Sequence, residues 1–242
     1  MSRIDILLPR NIDVKLWRYM DFLKFVDLLQ RRALWFTRLD SFQDKHEGLL
    51  PKSVSEALSV LAVVDNAEYG GFTYEKWRKR GCVSCWHIND GESAAMWDLY
   101  STQAGIAVCT RVSRLRDAIQ DGFDPGSWGL YGNAVRYVDF GTFNEPWYNG
   151  EIAKPVVRAA DLHLKRRSFE HEREYRLTTT LEGADENRLG KHVPLCLATM
   201  IEEIRVAPTA QDWIVEVVRQ QMKQSGLDVR VTKSDLYDAV LQ

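Results

Sequence analysis

The first forty residues alternate between strand-like and helix-like patterns of apolar positions. Lys15 to Met20 (KLWRYM) and Ala33 to Thr37 (ALWFT) are rich in residues that favour strands. The segment between them has apolar residues at helical spacing, and Asp21 stands where a side chain caps a first helical turn. These apolar positions are Phe22, Phe25, Val26 and Leu29. The pattern predicts a strand, a helix and a second strand.

The middle of the chain continues this alternation. Capping patterns at Ser53 and Thr73 predict a helical insertion over residues 50–80. Beyond it, the periodicity predicts two strands and two helices. They are a strand over Cys82 to Ile88, a helix over Glu92 to Tyr100, a strand over Gly105 to Thr110 and a helix over Val112 to Ile119.

The last half of the chain adds further short elements without regular βα units. A glycine-rich loop is predicted over Gly122 to Gly132, followed by a strand over Ala134 to Asp139 and a helix over Val156 to Leu164. Two strands follow, over Tyr175 to Leu181 and over His192 to Leu197. The chain then has a predicted helix from Pro208 to Gln224, which ends at Gly226, and a last strand over Val229 to Thr232. This irregular order favours an α+β fold with a mixed, mainly antiparallel sheet and flanking helices. We expect one domain spanning 1–242.

Composition narrows the environment and the partners. The formal charge of −2 argues against an overall basic field that would bind a phosphate backbone, so any nucleic-acid surface must be local. The start of the chain does not resemble a signal peptide, and the most apolar run, Leu58 to Val64, is far below the roughly twenty residues that span a bilayer. Four cysteines do not form a secreted disulfide framework. We expect a cytoplasmic protein without membrane partners.

Several familiar motifs are missing from the sequence. It contains no GxGxxG, no GxxxxGK[ST] and no GxSxG pattern. His171 and Glu172 begin like a zinc-protease helix, but the second ligand position is Tyr175. Cys82 and Cys85 have metal spacing without a second pair, and they are interpreted as core thiols. The scattered histidines are interpreted as surface or core residues, namely His46, His87, His163 and His192.

The densest chemical segment is Lys165 to Arg176 (KRRSFEHEREYR). On an extended chain Glu172, Glu174 and Arg176 alternate and project from one face, which places two carboxylates beside a guanidinium. Such a set suits acid-base chemistry or stabilisation of a cation. The alternative is a solvated helix in which Glu172 pairs with Arg176 at i,i+4 spacing.

Two aromatic segments also carry polar groups. Trp97 and Tyr100 share neighbouring faces of the predicted helix after Trp86, and they either pack in the core or wall a pocket for a flat ring. Arg18 lies within an aromatic strand, next to Tyr19. Because a buried guanidinium is costly without a partner, Arg18 should meet a carboxylate or bind an anion such as a phosphate.

Four separated blocks of the sequence carry a resemblance to known proteins, and they are LWRYMDFLKFVDLLQRRALWFTRLDSFQDKHEG, SCWHINDGESAAMWDLYSTQAGIAV, VRYVD and KRRSFEHEREYRL. In this order they resemble a widespread bacterial family that is catalogued as a domain of unknown function, and the resemblance extends over nearly the whole chain. A second, more distant resemblance links the same pattern to ADP-ribosyltransferases, which open with an aromatic strand bearing Arg or His and end with a strand carrying a catalytic Glu, often within ExE. The middle Ser-Thr-Ser motif of those enzymes is missing here.

The resemblance implies an ADP-ribosyltransferase-like fold and NAD as a substrate, with the ADP-ribose passed to an unknown acceptor or to water. A toxin or defence setting is consistent with it. Glu174 or Glu172 would stabilise the positive charge that develops on the ribose. The other implied contacts with NAD come from Arg18, Tyr19, Ser84, Trp86, Trp97, Tyr100 and Arg176. This hypothesis requires Arg18 and an acid of the HEREY stretch to converge on one hollow.

Two other functions stay open at this point. A nuclease or phosphoesterase would hold Mg²⁺ with carboxylates drawn from Asp40, Asp44, Glu47, Glu172 and Glu174. A binding module without catalysis would present Arg18 and the basic clusters Lys76 to Arg80 and Lys165 to Arg167 to a nucleic acid or a protein.

Overall fold

The structure is a computed structural model, and it describes residues 4–6, 12–49, 78–100, 104–120, 129–143, 163–181 and 188–238. Twelve strands lie in these ranges. In chain order they are β1 (Ile4–Ile6), β2 (Lys15–Met20), β3 (Ala33–Arg38), β4 (Gly81–Ile88), β5 (Ile106–Arg111), β6 (Leu130–Ala134), β7 (Arg136–Val138), β8 (Leu164–Arg166), β9 (Glu174–Thr180), β10 (Gly190–Pro194), β11 (Glu203–Val206) and β12 (Arg230–Lys233).

The described helices connect these strands. They are α1 (Phe22–Arg31), α2 (Ala94–Tyr100), α3 (Val112–Gln120), α4 (Leu197–Met200) and α5 (Asp212–Gln224), with 3-10 helices over Leu39–Ser41 and Arg167–Glu172. Helix α1 begins where the sequence predicts it, because the Asp21 Oδ1 atom accepts a hydrogen bond from the Lys24 backbone N–H at 2.9 Å. None of the helices in the described ranges is both long and apolar enough to span a bilayer.

Ten of the strands form one sheet. Its main path runs β1-β6-β9-β4-β2-β5-β11-β12, while β3 joins β4 and β10 joins β3. Two pairs in this sheet, β1 with β6 and β11 with β12, are parallel, and the other pairs are antiparallel. The remaining strands, β7 and β8, form a short parallel pair. The predicted α+β fold class with a mixed, mainly antiparallel sheet is therefore confirmed.

Strand β4 forms a fork in the sheet. Near its end, Ile88 and His87 pair with β2, and near its beginning, Val83 and Cys82 pair with β3. Strand β9 runs along the whole opposite edge of β4, from Gly81 to His87. Successive side chains of a strand point to opposite faces, so β4 presents different residues to the two sides of the sheet. This alternation decides which functional groups meet.

The structure differs from the predicted elements around Gly132. Leu130 to Gly132 belong to the predicted loop, yet they form β6. A Cβ atom on Gly132 would lie 2.7 Å from Leu177 Cδ2 and 2.9 Å from the Tyr175 hydroxyl, so this glycine allows close packing against β9 instead of marking a turn. The predicted strand over Ala134 to Asp139 is interrupted after Ala134 and continues as β7.

Other differences lie near the C-terminal half. Strand β10 ends at Pro194, and Leu197 begins α4, so the predicted strand over His192 to Leu197 is too long. Strand β11 was not predicted. The predicted insertion over 50–80 and the helix over Val156 to Leu164 fall mostly outside the described residues, although Leu164 itself begins β8.

Candidate active site

Five charged side chains from four elements of the chain meet on one face of the sheet. Glu47 comes from the turns after β3, Lys165 from β8, Glu172 from the end of a 3-10 helix, and Glu174 and Arg176 from β9. We call this set the charge network. It joins three carboxylates to one ammonium and one guanidinium, and its formal charge is therefore −1.

Lys165 is the centre of the network. Its Nζ atom donates to Glu172 Oε2 at 2.5 Å and to Glu174 Oε2 at 3.3 Å, and it lies 3.5 Å from Glu47 Oε2. Burial alone would lower the pKa of this ammonium, but the charges of Glu174 and Glu47 outweigh burial and raise the pKa above its ordinary value. The lysine therefore stays charged, and its three donors face three carboxylates.

Arg176 completes the interior of the network. Its Nε and Nη2 atoms donate to the two oxygens of Glu174 at 2.5 and 2.9 Å, which is a bidentate pair, and its Nη1 atom lies 2.7 Å from Glu47 Oε1. Burial would raise the pKa of the Glu174 carboxyl, but Arg176 and Lys165 outweigh it and lower that pKa to about 2. Glu174 is therefore held as an anion in the interior.

The Glu172 side chain is more exposed to solvent than the Glu174 side chain. The Glu174 side chain is 3% exposed and the Arg176 side chain 0%, whereas the Glu172 side chain is 13% exposed. The Tyr100 hydroxyl, at the end of α2, donates to Glu172 Oε1 at 3.1 Å, and the Tyr100 side chain itself is exposed. Burial raises the pKa of this phenol, and the Glu172 charge acts in the same direction, so the hydroxyl keeps its proton and remains a donor.

The backbone at Arg173 explains how two acids so close in sequence reach one lysine. Glu172 ends a 3-10 helix, and Arg173 follows it with φ 41° and ψ 54°, in the left-handed region that residues other than glycine seldom adopt. The chain becomes extended only at Glu174. The predicted extended run from Glu172 to Arg176 is therefore wrong, as is the alternative of one solvated helix. The reversal at Arg173 brings both carboxylates to Lys165.

Surrounding groups hold the network in place. The Tyr137 hydroxyl accepts a hydrogen bond from the Glu174 backbone N–H at 2.7 Å. Arg166 pairs with Asp44 at 2.9 Å, which ties the 3-10 helix segment to the turns that carry Glu47. The Phe169 ring lies 5.0 Å from Lys165 Nζ, within the range of a cation–π contact.

Arg18 lies apart from the charge network. Its Nη1 atom donates to Ser84 Oγ at 2.6 Å and its Nη2 atom to the Trp35 backbone oxygen at 3.1 Å, and its guanidinium lies 5.7 Å from the centre of the Trp86 ring. Arg18 therefore bridges the fork between β2, β3 and β4. Within the described part of the chain it contacts no carboxylate.

The strand register places Arg18 and Glu174 on opposite faces of β4. Ser84 and Trp86, which contact Arg18, alternate with His87, whose register partner on β9 is Glu174. The expectation that Arg18 and an acid of the HEREY stretch converge on one hollow is therefore wrong. Arg18 contacts Ser84 and Trp86 on one face of β4, whereas Glu174 and Arg176 lie on the other face, beside their register partners His87 and Cys85, and Glu172 joins them through Lys165.

The Tyr19 side chain of β2 packs against the Trp97 side chain of α2. Their rings are 4.9 Å apart in an edge-to-face arrangement, and both side chains are buried. The Tyr19 hydroxyl accepts from the Ser93 backbone N–H at 2.8 Å, and the Trp97 indole donates to Glu92 Oε2 at 3.0 Å. These contacts fix the start of α2.

The candidate metal ligands are occupied by basic side chains. Asp40 pairs with Arg38 at 2.6 Å and Asp44 with Arg166, while the three glutamates converge on Lys165. The described residues include no group of three or more histidine, cysteine or acidic side chains arranged to hold a metal ion. Cys82 and Cys85 are free thiols, and their odd spacing on β4 directs them to opposite faces.

The contact between two members of the network, Glu47 and Lys165, was not predicted. The sequence indicated Glu47 as a possible metal ligand and Lys165 as part of the densest chemical segment and of a basic cluster, but it did not predict that the two side chains meet. Lys165 directly follows the apolar Leu164 and precedes Glu172 and Glu174 by a few residues. Because a buried lysine needs carboxylate partners, this order along the chain is the signal that could have indicated the pairing. His87, interpreted as an isolated core or surface histidine, also lies beside Glu172, with its Nδ1 atom 2.6 Å from the Glu172 backbone oxygen.

Comparison with known proteins adds little at the level of sequence. No protein-family model matches the chain, and no curated protein matches it. The bacterial family suggested by the four blocks therefore stays a prediction. Among solved structures, the chain is similar to Thermus sp. 2.9 DarT in complex with ADP-ribosylated ssDNA, with a TM-score of 0.42 and 10% identity over 97% of this chain and 98% of that one. Because the TM-score is below 0.5, no property of this chain is inferred from that protein.

Proposed function

We propose that the chain cleaves the nicotinamide–ribose bond of NAD at the accessible end of the charge network, and that it passes the ADP-ribose to an acceptor or to water. Glu172 is the carboxylate that faces the ribose in this proposal. The observation that carries it is the arrangement of the acids: of the three carboxylates held by Lys165, Glu172 is the most exposed and the other two are enclosed.

The chemistry of the bond explains why such an arrangement is suitable. When the bond breaks, nicotinamide leaves with the bonding electrons and positive charge develops on the ribose. A fixed carboxylate next to that carbon stabilises the charge, and it does so most strongly where water is excluded and no reorganisation is required. A network with a formal charge of −1 supplies a negative potential at its open end.

The remaining members of the network have supporting roles in this proposal. Lys165 and the Tyr100 hydroxyl each hold one oxygen of Glu172, so the carboxylate has a defined orientation. Glu174 and Arg176 are enclosed; Glu174 accepts a hydrogen bond from Lys165, and Arg176 holds Glu174 in place. The exposed ring of Tyr100 is our candidate for contact with the nicotinamide ring.

The other two functions have less support from the contacts. A Mg²⁺ site would require Lys165 to leave the centre of its three carboxylates, which would forfeit its ion pairs. A basic binding surface formed by Lys165 to Arg167 would require Lys165 to be exposed, whereas it is buried.

The proposal is tested with purified protein and NAD, by following the release of nicotinamide with and without a chelator and with nucleic acid or lysate as acceptor. We expect release that the chelator does not abolish. Glu172→Gln should lower the rate by about 100-fold or more, because it removes the charge facing the transition state.

A matched control is Glu92→Gln. Glu92 has a similar exposure of 10%, and like Glu172 it is held by an aromatic side chain and a basic side chain, here the Trp97 indole N–H and Arg205. Its variant should keep the activity of the unchanged protein. Absence of nicotinamide release under every condition, or equal activity of the two variants, would overturn the proposal.

A further inference from the structure

His87 is anchored beside Glu172 by one end of its ring. The His87 Nδ1 atom is 2.6 Å from the Glu172 backbone oxygen, and a carbonyl oxygen only accepts hydrogen bonds. Nδ1 must therefore carry a proton and donate it. In the neutral ring this leaves Nε2 with a free electron pair, and the described residues provide no hydrogen-bond partner for Nε2.

His87 is buried beside charged groups of both signs. The side chain is buried on β4, on the same face as its register partner Glu174, and its ring packs against the Tyr19 ring of β2 at 6.4 Å. Burial lowers the pKa of His87 and Arg173 acts in the same direction, while the carbonyl and carboxylate of Glu172 act against them. The net result is a lowered pKa, so the imidazole is neutral at pH 7.

We propose that His87 is the general base for the acceptor in the reaction described above, and that it works beside Glu172 with a different task. This inference rests on the proposed function. Nε2 takes the proton from the acceptor X–H, X forms a bond to the ribose carbon, and nicotinamide leaves with the electrons of the broken bond. The imidazolium then releases its proton to solvent, so that NAD and X–H give ADP-ribosyl-X, nicotinamide and a proton.

This assignment divides the chemistry between two residues that are fixed to each other. Glu172 is required as an anion to stabilise the developing charge, and both of its carboxylate oxygens already accept hydrogen bonds, from Lys165 and from the Tyr100 hydroxyl. A neutral imidazole whose orientation is set by the backbone of that same residue supplies the missing base. Removing His87 should therefore slow acceptor attack without disturbing the charge network.

The test uses water as the acceptor and compares His87→Asn with the unchanged protein. Asparagine retains an N–H that can donate to the Glu172 carbonyl but has no basic nitrogen. We expect the rate of nicotinamide release to fall by about 100-fold. In the unchanged protein the rate should rise with pH through a step below the ordinary histidine pKa of about 6.5, and this step should be lost in His87→Asn.

His192→Asn is the matched control, since His192 is a partly exposed histidine that pairs with Asp27 at 2.9 Å away from the network. It should keep both the rate and the pH step. If the unchanged protein is active and His87→Asn stays within threefold of it with the same pH profile, the inference about His87 is overturned while the role of Glu172 stands. If the unchanged protein itself releases no nicotinamide, the proposed function fails and this inference fails with it.

Discussion

Arg18 and Arg176 place two guanidinium groups on opposite faces of the forked sheet, and their surroundings differ. Arg176 is enclosed by Glu174 and Glu47, whose charges outweigh burial and raise its pKa above the ordinary value. Arg18 has neutral partners, a hydroxyl and a backbone carbonyl, and burial lowers its pKa to about 10. The pKa of a buried arginine is therefore raised where carboxylates surround the guanidinium and lowered where its partners are neutral.

The network face is therefore the side of β4 where charges are kept in a nearly dry environment. Electrostatic stabilisation of a transition state requires charged groups that are fixed and poorly solvated. Arg18 instead fills the gap in the fork with hydrogen bonds to β3 and β4. This difference is why we assign the chemistry to the Glu172 side of the sheet.

The largest expected effect is the loss of stability when the Arg176 guanidinium is removed, and it is compared with removal of the Arg18 guanidinium. Arg176→Met leaves Glu174 and Glu47 without their shared partner, and we expect a loss of about 3–5 kcal/mol in the free energy of unfolding. Arg18→Met removes two hydrogen bonds to neutral groups and also an uncompensated charge, so it should cost roughly 1–2 kcal/mol. Urea unfolding at pH 7 measures both. Equal costs would remove the contrast between the two faces.

Acid should weaken the network through Glu174. Its folded pKa of about 2 lies below the ordinary 4.5, so its contribution to stability is complete above about pH 4.5 and is lost as the pH falls toward 2. The contribution is up to roughly 3 kcal/mol for this enclosed group. Unfolding midpoints between pH 2 and 7 should fall less steeply for Glu174→Gln than for the unchanged protein. Parallel curves would contradict the assignment.

The left-handed backbone at Arg173 gives a smaller effect. Arg173→Val adds a β-branched side chain at φ 41° and should destabilise the fold by roughly 1–2 kcal/mol. Arg173→Gly suits the conformation and should change stability by only a few tenths of a kcal/mol. Thermal unfolding of the two variants measures the difference. If valine is tolerated as well as glycine, the reversal that joins Glu172 to Glu174 is not under strain.

The smallest effect is expected at the outer ion pair of Asp44 with Arg166. The Arg166 side chain is 36% exposed, so solvent screens the pair, and Asp44→Ala should cost less than about 1 kcal/mol. Arg166→Ala should give a similar value by urea unfolding. A loss comparable to that of Arg176→Met would show that this pair belongs to the interior network.

Much of the fold followed from local patterns in the sequence. Strand β2, the Asp21 cap and helix α1 are signalled by residues within one or two turns of one another, and these predictions are confirmed. Strand β6 was missed because Gly132 reads as a turn residue, whereas its role depends on Tyr175 and Leu177 across the sheet. The short strand β11 pairs with distant strands and carries little local pattern.

The site was predicted only in part for the same reason. The importance of Glu172, Glu174 and Arg176 was evident from their density, and Arg18 was evident as a charge within an aromatic strand. The face on which each lies depends on the register of β4 with β9 and on the reversal at Arg173, which no local pattern encodes. Glu47 and Lys165 join the network only through tertiary contacts.

The most direct test is a crystal structure of the Glu172→Gln variant with NAD bound. We predict that the nicotinamide ribose carbon lies within about 3.5 Å of the residue 172 side chain, on the face of β4 that carries His87. A nucleotide bound only against Arg18, Ser84 and Trp86, without contact to residue 172, would contradict it.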